Sequence, residues 1–584
     1  MNNEEIISFY LDGDILISPE LLSEIKDKPL PISSEFAVLD REIMDILDKK
    51  TPISVLEFER AIVMAQKHKD KKLYTSFLEY IQNGSGKDKE KEKDLPTSDK
   101  VSLTTSDRID NSISNPIPAE TTVRIKDNLD SENEKKIFMQ KNKINILSSY
   151  NKKARKWSVY DFVNVYNSRL KELEKILRSR QELQNLTSIS RINSKKEKEN
   201  VAFVGVVYGK AVTKAGNLLF TIEDQTGMIK VVVTQRNESL FKLAEEIQLD
   251  EVIGVTGTCD QIVFANNLFI PDVPLTKELK KSPDDGYFAV ISDLEVGNKY
   301  FLEKEFMKFI SWINGDIGNE KQKEAASKIK YVFIVGDCVA GVGIYPGQEY
   351  DLTIIDIKDQ YKKFAEYVSL IPSHIPVFIC LGNHDVGRIS EPQPPLTAEY
   401  AQSLVEIPNV IPVSNPSLIN IFAQSDKGFG GLDVMLYHGG SLVYYSEAIL
   451  NIRRLGAQKR PDLIMKYWLQ RRHLAPTHTA TLYIPDPEKD PLLIDKVPDF
   501  ILSGHIHRAS VTNYRNVTCI NASCWGAVTE EQERRGLEPQ PARAFLVDMH
   551  TREVKIMNFL SKEDQESEDK VLQQLAPAQV MPNG

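Results

Sequence analysis

The most regular pattern in this chain is an apolar run followed at once by polar residues, and it occurs in five places. Each run is short and rich in Val, Ile, Leu, Phe or Tyr, which is typical of a buried strand rather than a helix. Asp, Glu, Asn or His comes directly after each run. The five segments are FAVISDLE, YVFIVGD, PVFICLGNHD, VMLYHG and FILSGHIH. The pattern predicts sheets whose strand ends collect polar side chains.

The remaining segments differ in pattern and divide the chain into domains. Helical periodicity with capping signals marks the N-terminus and a second stretch that starts near Ser158 and Asp161. Short β-rich runs around TIEDQTG and IKVVV resemble an OB-fold, and long polar stretches predict unfolded chain. We expect a helical partner-contact domain at 1–80, a flexible linker at 81–137, a helical segment at 138–185, an OB-fold domain at 186–280, an α/β domain at 286–560 and a disordered tail at 561–584.

The polar residues after the strands are of the types that bind metal ions. Asp293 and Glu295 lie two residues apart, so on an extended strand end both side chains would leave the same face. Carboxylate, amide and imidazole donors suit manganese, iron, zinc or magnesium, and two such ions could act together on a phosphodiester. The candidates are Asp293, Glu295, Asp337, Asn383, His384, His438, His505 and His507. They predict metal-assisted hydrolysis.

A purely structural origin of these motifs is the alternative. An Asp after a strand is often only a turn residue or a helix cap, so GD alone carries little information. GNHD and GHIH are more specific, because Gly lets the backbone turn sharply while the next side chain points into a cleft. The order D-x-E, GD, GNHD, HG and GHIH over five strands argues against a structural accident.

In order and spacing, SDLE, GD, GNHD, HGG and GHIH resemble the calcineurin-like metallophosphoesterases over roughly 286 to 560. VGNKYF, GVGIYPGQEYD, RRHLAPTH and NASCWGAVTEEQ narrow the resemblance to the small subunit of archaeal family-D DNA polymerase. This resemblance implies an α/β multi-domain chain, in which a β-sandwich flanked by helices follows an OB-fold barrel. It also implies 3′ to 5′ proofreading exonuclease activity on single-stranded 3′ ends of DNA, a heterodimer with the large catalytic subunit, and a sliding clamp as a further candidate partner.

The same resemblance implies a role for each ligand position. One metal ion would be held by Asp293, Glu295, Asp337 and His507, and the other by Asp337, Asn383, His438 and His505. Manganese is the expected ion at both positions, with magnesium, iron or zinc as alternatives. His384 would not bind metal but would stabilise charge on the phosphate or protonate the leaving oxygen. Asp385 would orient a neighbouring group.

Two positions depart from the family pattern. The family usually has His where this chain has Glu295, and a carboxylate should weaken the Lewis acidity of its metal by adding negative charge. Ala340 stands where the family often has Asp. Two other functions stay open: a catalytically weakened scaffold that stabilises the large subunit, or a metal-dependent phosphatase or phosphodiesterase acting on small phosphoesters.

Charge modifies this picture locally. The net charge of −10 argues against a chain that is basic all over. Residues 451–475 nevertheless carry a charge of +6 between the ligand candidates His438 and His505. We expect a surface that follows DNA phosphates, formed by Arg453, Arg454, Lys459, Arg460, Arg471 and Arg472. The alternative is a helix with a solvated basic face.

Compartment is suggested by what the sequence lacks. No apolar stretch approaches the length of a membrane span, and the N-terminus MNNEEIISFY has acidic residues where a signal peptide needs basic ones. The five cysteines form no CxxC pair and are expected to be buried thiols. We therefore expect a cytoplasmic protein without a membrane partner.

Overall fold

The computed structural model describes residues 16–17, 38–39, 135–153, 155–195, 197–424 and 427–561. The chain divides into two units, Met1–Asn115 and Pro116–Gly584. In the first unit, Leu16–Ile17 (β1) and Val38–Leu39 (β2) pair as parallel strands. The predicted helical domain otherwise lies outside the described residues, as do most of the predicted linker and the predicted tail beyond Ser561.

Two six-stranded sheets in the second unit enclose an apolar core. The first sheet has the order β12-β11-β10-β9-β18-β19, with the strands Tyr287–Ile291 (β9), Ile329–Val335 (β10), Val377–Cys380 (β11), Val410–Pro412 (β12), Arg543–Asp548 (β18) and Val554–Asn558 (β19). The second has the order β16-β17-β15-β14-β13-β3, with Ile144–Ser149 (β3), Ser417–Ile421 (β13), Leu432–Leu436 (β14), Phe500–Ser503 (β15), Ser510–Tyr514 (β16) and Val517–Asn521 (β17). Phe288 and Phe500 join the two sheets, with ring centroids 5.0 Å apart.

Helices cover both outer faces of this sandwich. The helices within residues 286–560 are Glu303–Ile313 (α4), Glu320–Ser327 (α5), Ile357–Ser369 (α6), Ala398–Val405 (α7), Leu442–Ala448 (α8), Leu450–Arg454 (α9), Pro461–Arg471 (α10) and Glu530–Arg534 (α11). Phe306 and Phe309 of α4 pack against the first sheet, whereas Trp468 of α10 packs against the second. The expected β-sandwich flanked by helices is confirmed.

The segment 138–185, which was expected to be helical, contains strand β3. Residues 144–149 pair antiparallel with β13, so the sandwich takes one edge strand from chain that precedes the barrel. Only Ile144 of this strand is buried. Backbone pairing rather than an apolar face holds such an edge strand, so its hydrophobic pattern carries no strand signal. Residues 135–141 are helical, and the end of the predicted linker therefore belongs to the folded unit.

A closed five-stranded barrel confirms the expected OB-fold domain. Its order is β4-β5-β6-β8-β7, from Glu199–Val212 (β4), Leu218–Asp224 (β5), Gly227–Val233 (β6), Val252–Asp260 (β7) and Ile262–Phe269 (β8). The helices Val159–Leu177 (α1) and Ile189–Asn193 (α2) precede it, and Glu238–Glu246 (α3) lies between β6 and β7. Helix α1 begins after Ser158, as expected, and ends at Leu177, before the end of the expected helical segment at 185.

Two expectations from composition can be compared with the structure. All five cysteines are buried and unpaired, as expected. Within the described part of the chain, no helix combines the length and the apolarity needed to cross a bilayer.

Buried ion pairs join α1, the barrel and the sandwich. Arg169 of α1 donates through Nε to Asp490 at 2.7 Å, and His473 contacts the same carboxylate oxygen at 2.9 Å. Arg471 of α10 donates through Nε to Glu251, just before β7, at 3.0 Å. All are at least nine-tenths buried. Each of these charges would be costly to bury without its partner, so separating the partners would be unfavourable. The pairs therefore fix the barrel against the sandwich.

We expect Arg471→Ala to destabilise the folded second unit by about 3–5 kcal/mol, because it leaves the Glu251 carboxylate buried without its partner. Urea unfolding followed by circular dichroism measures the change. Arg454→Ala is the matched control, since Arg454 is exposed, and it should change stability by less than about 0.5 kcal/mol. Equal stability of the two variants would contradict a stabilising role for the Arg471–Glu251 pair.

Candidate metal centre

The five apolar runs form the strands β9, β10, β11, β14 and β15, and their C-terminal ends meet at one edge of the sandwich. Strands β9, β10 and β11 are parallel neighbours in the first sheet, and β14 and β15 are parallel neighbours in the second. A hydrogen bond joins the two sheets here, because His438 donates through Nδ1 to the carbonyl oxygen of Val335 at 2.8 Å. The loops after all five strands therefore converge.

One group of ligand candidates contains Asp293, Glu295 and His507. His507 Nε2 lies 3.4 Å from Asp293 Oδ1 and 3.4 Å from Glu295 Oε1. Asn298 donates through Nδ2 to the other oxygen of Glu295 at 3.1 Å. One imidazole nitrogen thus faces two carboxylates, and the three side chains point to a common position.

The second group contains Asp337, Asn383, His438 and His505. His438 Nε2 lies 3.2 Å from Asp337 Oδ2 and 3.2 Å from Asn383 Oδ1. Donor atoms of Asp337, His438 and His505 all lie within 4.8 Å of one another. The Nδ1 proton of His438 is given to Val335, so Nε2 is the nitrogen that faces the other donors.

Backbone hydrogen bonds tie the two groups together. The amide of His505 donates to both carboxylate oxygens of Asp293, at 3.1 and 3.0 Å. The amide of Glu295 donates to the carbonyl oxygen of Asp337 at 3.0 Å. All seven candidate ligands thus lie in two adjacent groups at this edge of the sandwich, with Asp337 in the second group.

The backbone at these positions differs from the extended strand end expected for Asp293 and Glu295. Both residues have left-handed φ angles, 52° and 50°. Asp337, His505 and His507 share this conformation, with φ of 50°, 75° and 53°. Non-glycine residues rarely adopt it, and each instance costs on the order of 1–3 kcal/mol. The side chains converge because the chain turns sharply at each ligand rather than because it stays extended.

Two glycines of the motifs are required by close approach. A Cβ at Gly382 would lie 2.1 Å from Asp337 Oδ1, and a Cβ at Gly504 would lie 2.4 Å from Asp293 Oδ2. Neither glycine has a positive φ, so the sharp turn expected of them is made by their neighbours. Their missing side chains leave the space that the carboxylates occupy.

Electrostatics at the centre favour a cation. Burial alone would lower the pKa of His438, but the Asp337 carboxylate raises that pKa to about 10. Burial and the charge of His438 lower the pKa of His505 to about 4. Burial opposes ionisation of Asp337, yet His438 and His384 hold its pKa well below the usual range. A divalent cation would take over the balancing charge and release the proton of His438.

The donor set fits divalent metal ions. Three carboxylates, one amide oxygen and imidazole nitrogens provide the mixture of oxygen and nitrogen ligands that manganese, iron and zinc accept. Asp293 and Asp337 are 0% and 2% exposed, and buried carboxylates normally need a positively charged partner. No cysteine is among these donors.

His384 lies beside the second group and is bonded to it through its backbone. Its amide donates to Asp337 Oδ1 at 2.8 Å, and its Nδ1 contacts the carbonyl oxygen of Ala340 at 3.0 Å. Because a carbonyl only accepts, Nδ1 carries a proton. Burial lowers the pKa of His384, but Asp337 and Glu295 outweigh burial and raise it.

Asp385 and Ala340 have structural roles. The buried Asp385 carboxylate accepts hydrogen bonds from the amides of Cys338 and Gly382 and from the hydroxyl of Tyr361. It thereby orients the loops that carry Asp337 and Asn383, as expected. The carbonyl oxygen of Ala340 accepts hydrogen bonds from Gln348 Nε2 and from His384 Nδ1.

In the basic stretch at 451–475, two of the expected DNA contacts are not available to DNA. Arg471 is 2% exposed and is held by Glu251. Arg472 is 3% exposed and donates to the carbonyl oxygens of Ile494 and Asp495 at 2.8 and 2.6 Å. The expectation that Arg471 and Arg472 contact phosphates is wrong, because both guanidinium groups are used inside the fold.

The other four residues of the expected phosphate-contacting surface remain accessible to solvent. Arg453 and Arg454 are exposed on α9 and form no ion pair with the described residues. Lys459 and Arg460 each pair with an acidic side chain. The free charge of this stretch is therefore smaller than the +6 of the sequence.

Several residues of the site have no signal in the sequence. Asn415 accepts from the amide of His438 at 2.9 Å, and Gln393 donates to the carbonyl oxygen of Gly382 at 2.9 Å. Arg508, beside His507, pairs with Glu538. Their partners are distant in sequence, so no spacing could reveal them.

Comparisons with known proteins agree with this geometry. Residues 286–509 match the family model described as calcineurin-like phosphoesterase. Residues 201–261 match the model described as OB-fold nucleic acid binding domain. The metallophosphoesterase fold implies divalent metal ions, which the donor set accommodates.

Curated relatives extend the comparison to most of the chain. The DNA polymerase II small subunit of Pyrococcus furiosus is 38% identical over 403 residues, which cover 68% of this chain and 63% of that protein. The small subunits of Methanothermobacter thermautotrophicus and Archaeoglobus fulgidus are 37% and 38% identical, and the matches cover 78% and 74% of those proteins. The chain thus matches somewhat less than two thirds of the Pyrococcus relative. The resemblance seen in the motifs is confirmed, and the chain belongs to the family of archaeal DNA polymerase II small subunits.

Proposed function

We propose that this chain is the proofreading subunit of a two-subunit DNA polymerase, in which it hydrolyses the last phosphodiester at the 3′ end of a strand. The meeting of seven metal-ligand side chains at one sandwich edge is the observation that carries the proposal. The relatives' name and the nucleic-acid-binding description of the barrel's family model support DNA as the substrate. Polymerisation would belong to a large catalytic partner.

Two divalent metal ions, with manganese as the first candidate, would be held by the two groups of side chains. Asp293, Glu295 and His507 would hold one, and Asn383, His438 and His505 the other. Asp337 would contribute to both. When bound, such ions supply Lewis acidity toward the phosphodiester and a nucleophile from water at neutral pH.

His384 would act on the leaving oxygen. Its Nδ1 proton is committed to the carbonyl oxygen of Ala340, so Nε2 is the atom available to the substrate. Charge from Asp337 and Glu295 favours the protonated ring. The imidazolium can therefore balance charge on the phosphate and give its Nε2 proton to the 3′ oxygen as the bond breaks.

Arg453 and Arg454 are the proposed contacts to the DNA backbone. They project from α9, in the segment that connects His438 to His505. Lys459, in the same segment, pairs with Glu538, which also holds Arg508 next to His507. This chain of ion pairs supports a position of the segment near the metal centre, where a DNA strand would pass.

Manganese should stabilise the protein if the seven side chains bind metal. We expect manganese added to EDTA-treated wild-type protein to raise the melting temperature by several degrees, and Asp337→Ala to abolish the shift. Differential scanning calorimetry and metal analysis measure both. Asp316→Ala, at an exposed position, is the control and should retain the full shift. An undiminished shift in Asp337→Ala would remove Asp337 from the ligand set.

A mismatched primer tests the reaction and its direction. The full chain, alone and with its large subunit, is incubated with manganese and a 5′-labelled primer whose 3′ end is mismatched. We expect a ladder that shortens from the 3′ end, and a rate at least about 100-fold lower in His384→Ala. His374→Ala, at an exposed histidine, should cleave normally, and Glu295→His should keep or raise the rate.

Other outcomes of this assay point to other functions. A primer that stays intact with wild-type protein, both alone and with its large subunit, would indicate a scaffold subunit. Rapid hydrolysis of 4-nitrophenyl phosphate together with an intact primer would indicate a phosphatase instead.

Charge reversal tests the proposed DNA contact. Arg453→Glu combined with Arg454→Glu should weaken binding of a single-stranded oligonucleotide and make its salt dependence shallower, because two phosphate contacts are lost. Fluorescence anisotropy at several salt concentrations measures both effects. Lys321→Glu with Lys323→Glu is the matched control, since α5 lies before the start of β10, at the sheet edge opposite the metal centre. Equal losses in both double variants would show only a general charge effect.

A further inference from the structure

One loop beside the metal centre, residues 341–355, has no role in holding metal. We call it the tyrosine loop. Its first residue follows Ala340, whose carbonyl oxygen receives the hydrogen bond of His384. Its far end packs on the chain just after Glu295, because Lys299 donates its amide to Asp351 at 2.8 Å and Thr353 donates its amide to Gly297 at 2.7 Å. The loop therefore connects the His384 side of the centre to the Glu295 side.

Buried amide side chains hold this loop in one conformation. Gln348 donates to the carbonyl oxygen of Ala340 and accepts from the amide of Ile344, both at 2.9 Å. Gln360 of α6 accepts from the amide of Gly341 at 2.9 Å. Gln348 and Gln360 are 1% and 0% exposed. Because its backbone groups are tied to buried partners, the loop presents its outward side chains on a fixed frame.

Those outward side chains include two tyrosines. Tyr345 is 38% exposed and Tyr350 is 80% exposed. Tyr345 donates its hydroxyl to Asp351 at 2.9 Å, and Asp351 pairs with Lys299 at 2.8 Å. Burial and the Asp351 carboxylate raise the pKa of Tyr345, and the charge of Glu295 contributes to the rise.

The charge of the loop indicates which part of a nucleic acid it would meet. Asp351 is neutralised by Lys299, but Glu349 is exposed and unopposed by a basic residue of the loop. Nucleic-acid phosphates would gain little electrostatic attraction from this loop. Aromatic faces stack on any base, and each stacked base contributes enough to change affinity many-fold. The loop therefore suits bases rather than the backbone.

We propose that Tyr345 and Tyr350 form a stacking platform for the bases of the single strand next to the phosphodiester that the metal centre cleaves. This proposal rests on the proposed nuclease function and adds the residues that position the strand. Arg453 and Arg454 would contact phosphates, whereas the tyrosines would contact bases. Stacking is independent of sequence, as a proofreading site requires.

Ring-deleting and ring-retaining substitutions test the platform in the full chain. Tyr345→Leu and Tyr350→Leu remove the aromatic face, whereas Tyr345→Phe and Tyr350→Phe keep it and remove only the hydroxyl. The probe is a single-stranded oligonucleotide with 2-aminopurine near its 3′ end and phosphorothioate linkages that resist cleavage. Stacking quenches 2-aminopurine, so binding and stacking are read without any reaction.

We expect each Leu variant to bind about 5- to 100-fold more weakly with reduced quenching, each Phe variant to bind like wild type, and the salt dependence to stay unchanged. On a cleavable oligonucleotide the Leu variants should raise KM more than they lower kcat. Turnover of methyl 4-nitrophenyl phosphate, which has no base to stack, should not change.

Wild-type quenching in both Leu variants, or no binding by wild-type protein, would overturn the proposal. A loss as large in Tyr345→Phe as in Tyr345→Leu would also overturn it, because the hydrogen bond to Asp351 would then be what matters. If wild-type protein cleaves no oligonucleotide but the Leu variants still lose quenching, the platform stands and the nuclease function fails.

Discussion

The convergence of three carboxylates at one edge of an apolar sandwich is the constraint on which the site depends. Asp293 and Asp337 are almost fully buried, and Glu295 lies beside them. Buried negative charge is costly without partners. The fold supplies such partners at short range, with backbone amides on both Asp residues and an imidazole beside each group. The strained φ angles and the close-packed glycines follow from this crowding.

The same rule holds the barrel to the sandwich. Arg169 and Asp490, like Arg471 and Glu251, are buried charges that become tolerable only as pairs. The two partners lie 321 residues apart in the first pair and 220 residues apart in the second. The RRHLAPTH motif, basic in sequence, is thus mostly internal, and its Thr477 also donates to the barrel at Leu249. Because the barrel is fixed in this way, a nucleic-acid strand bound to it would keep a constant position relative to the metal centre.

Local chemistry in the sequence predicts much of this structure. The five strands, the barrel and the candidate ligands follow from apolar runs and from the residues after them, because burial and coordination demand those residue types. The division of the ligands into two groups comes from the family resemblance. Contacts between distant segments have no such signature. Edge strand β3 lacks an apolar face, and Arg471 looks like a surface charge until Glu251 is brought beside it. The left-handed ligand positions are likewise set by crowding that only the assembled sheets create.

Glu295 is the position where sequence and structure together carry the argument furthest. A carboxylate left over from a decaying site would have no defined partners. Glu295 instead accepts a hydrogen bond from Asn298, faces His507 and has a left-handed backbone conformation, and its amide donates to the carbonyl oxygen of Asp337. In the proposed metal site, a carboxylate at this position instead of an imidazole would make the site harder and more negative, which would favour manganese or magnesium over zinc. These defined contacts argue against Glu295 as a remnant of a decaying site.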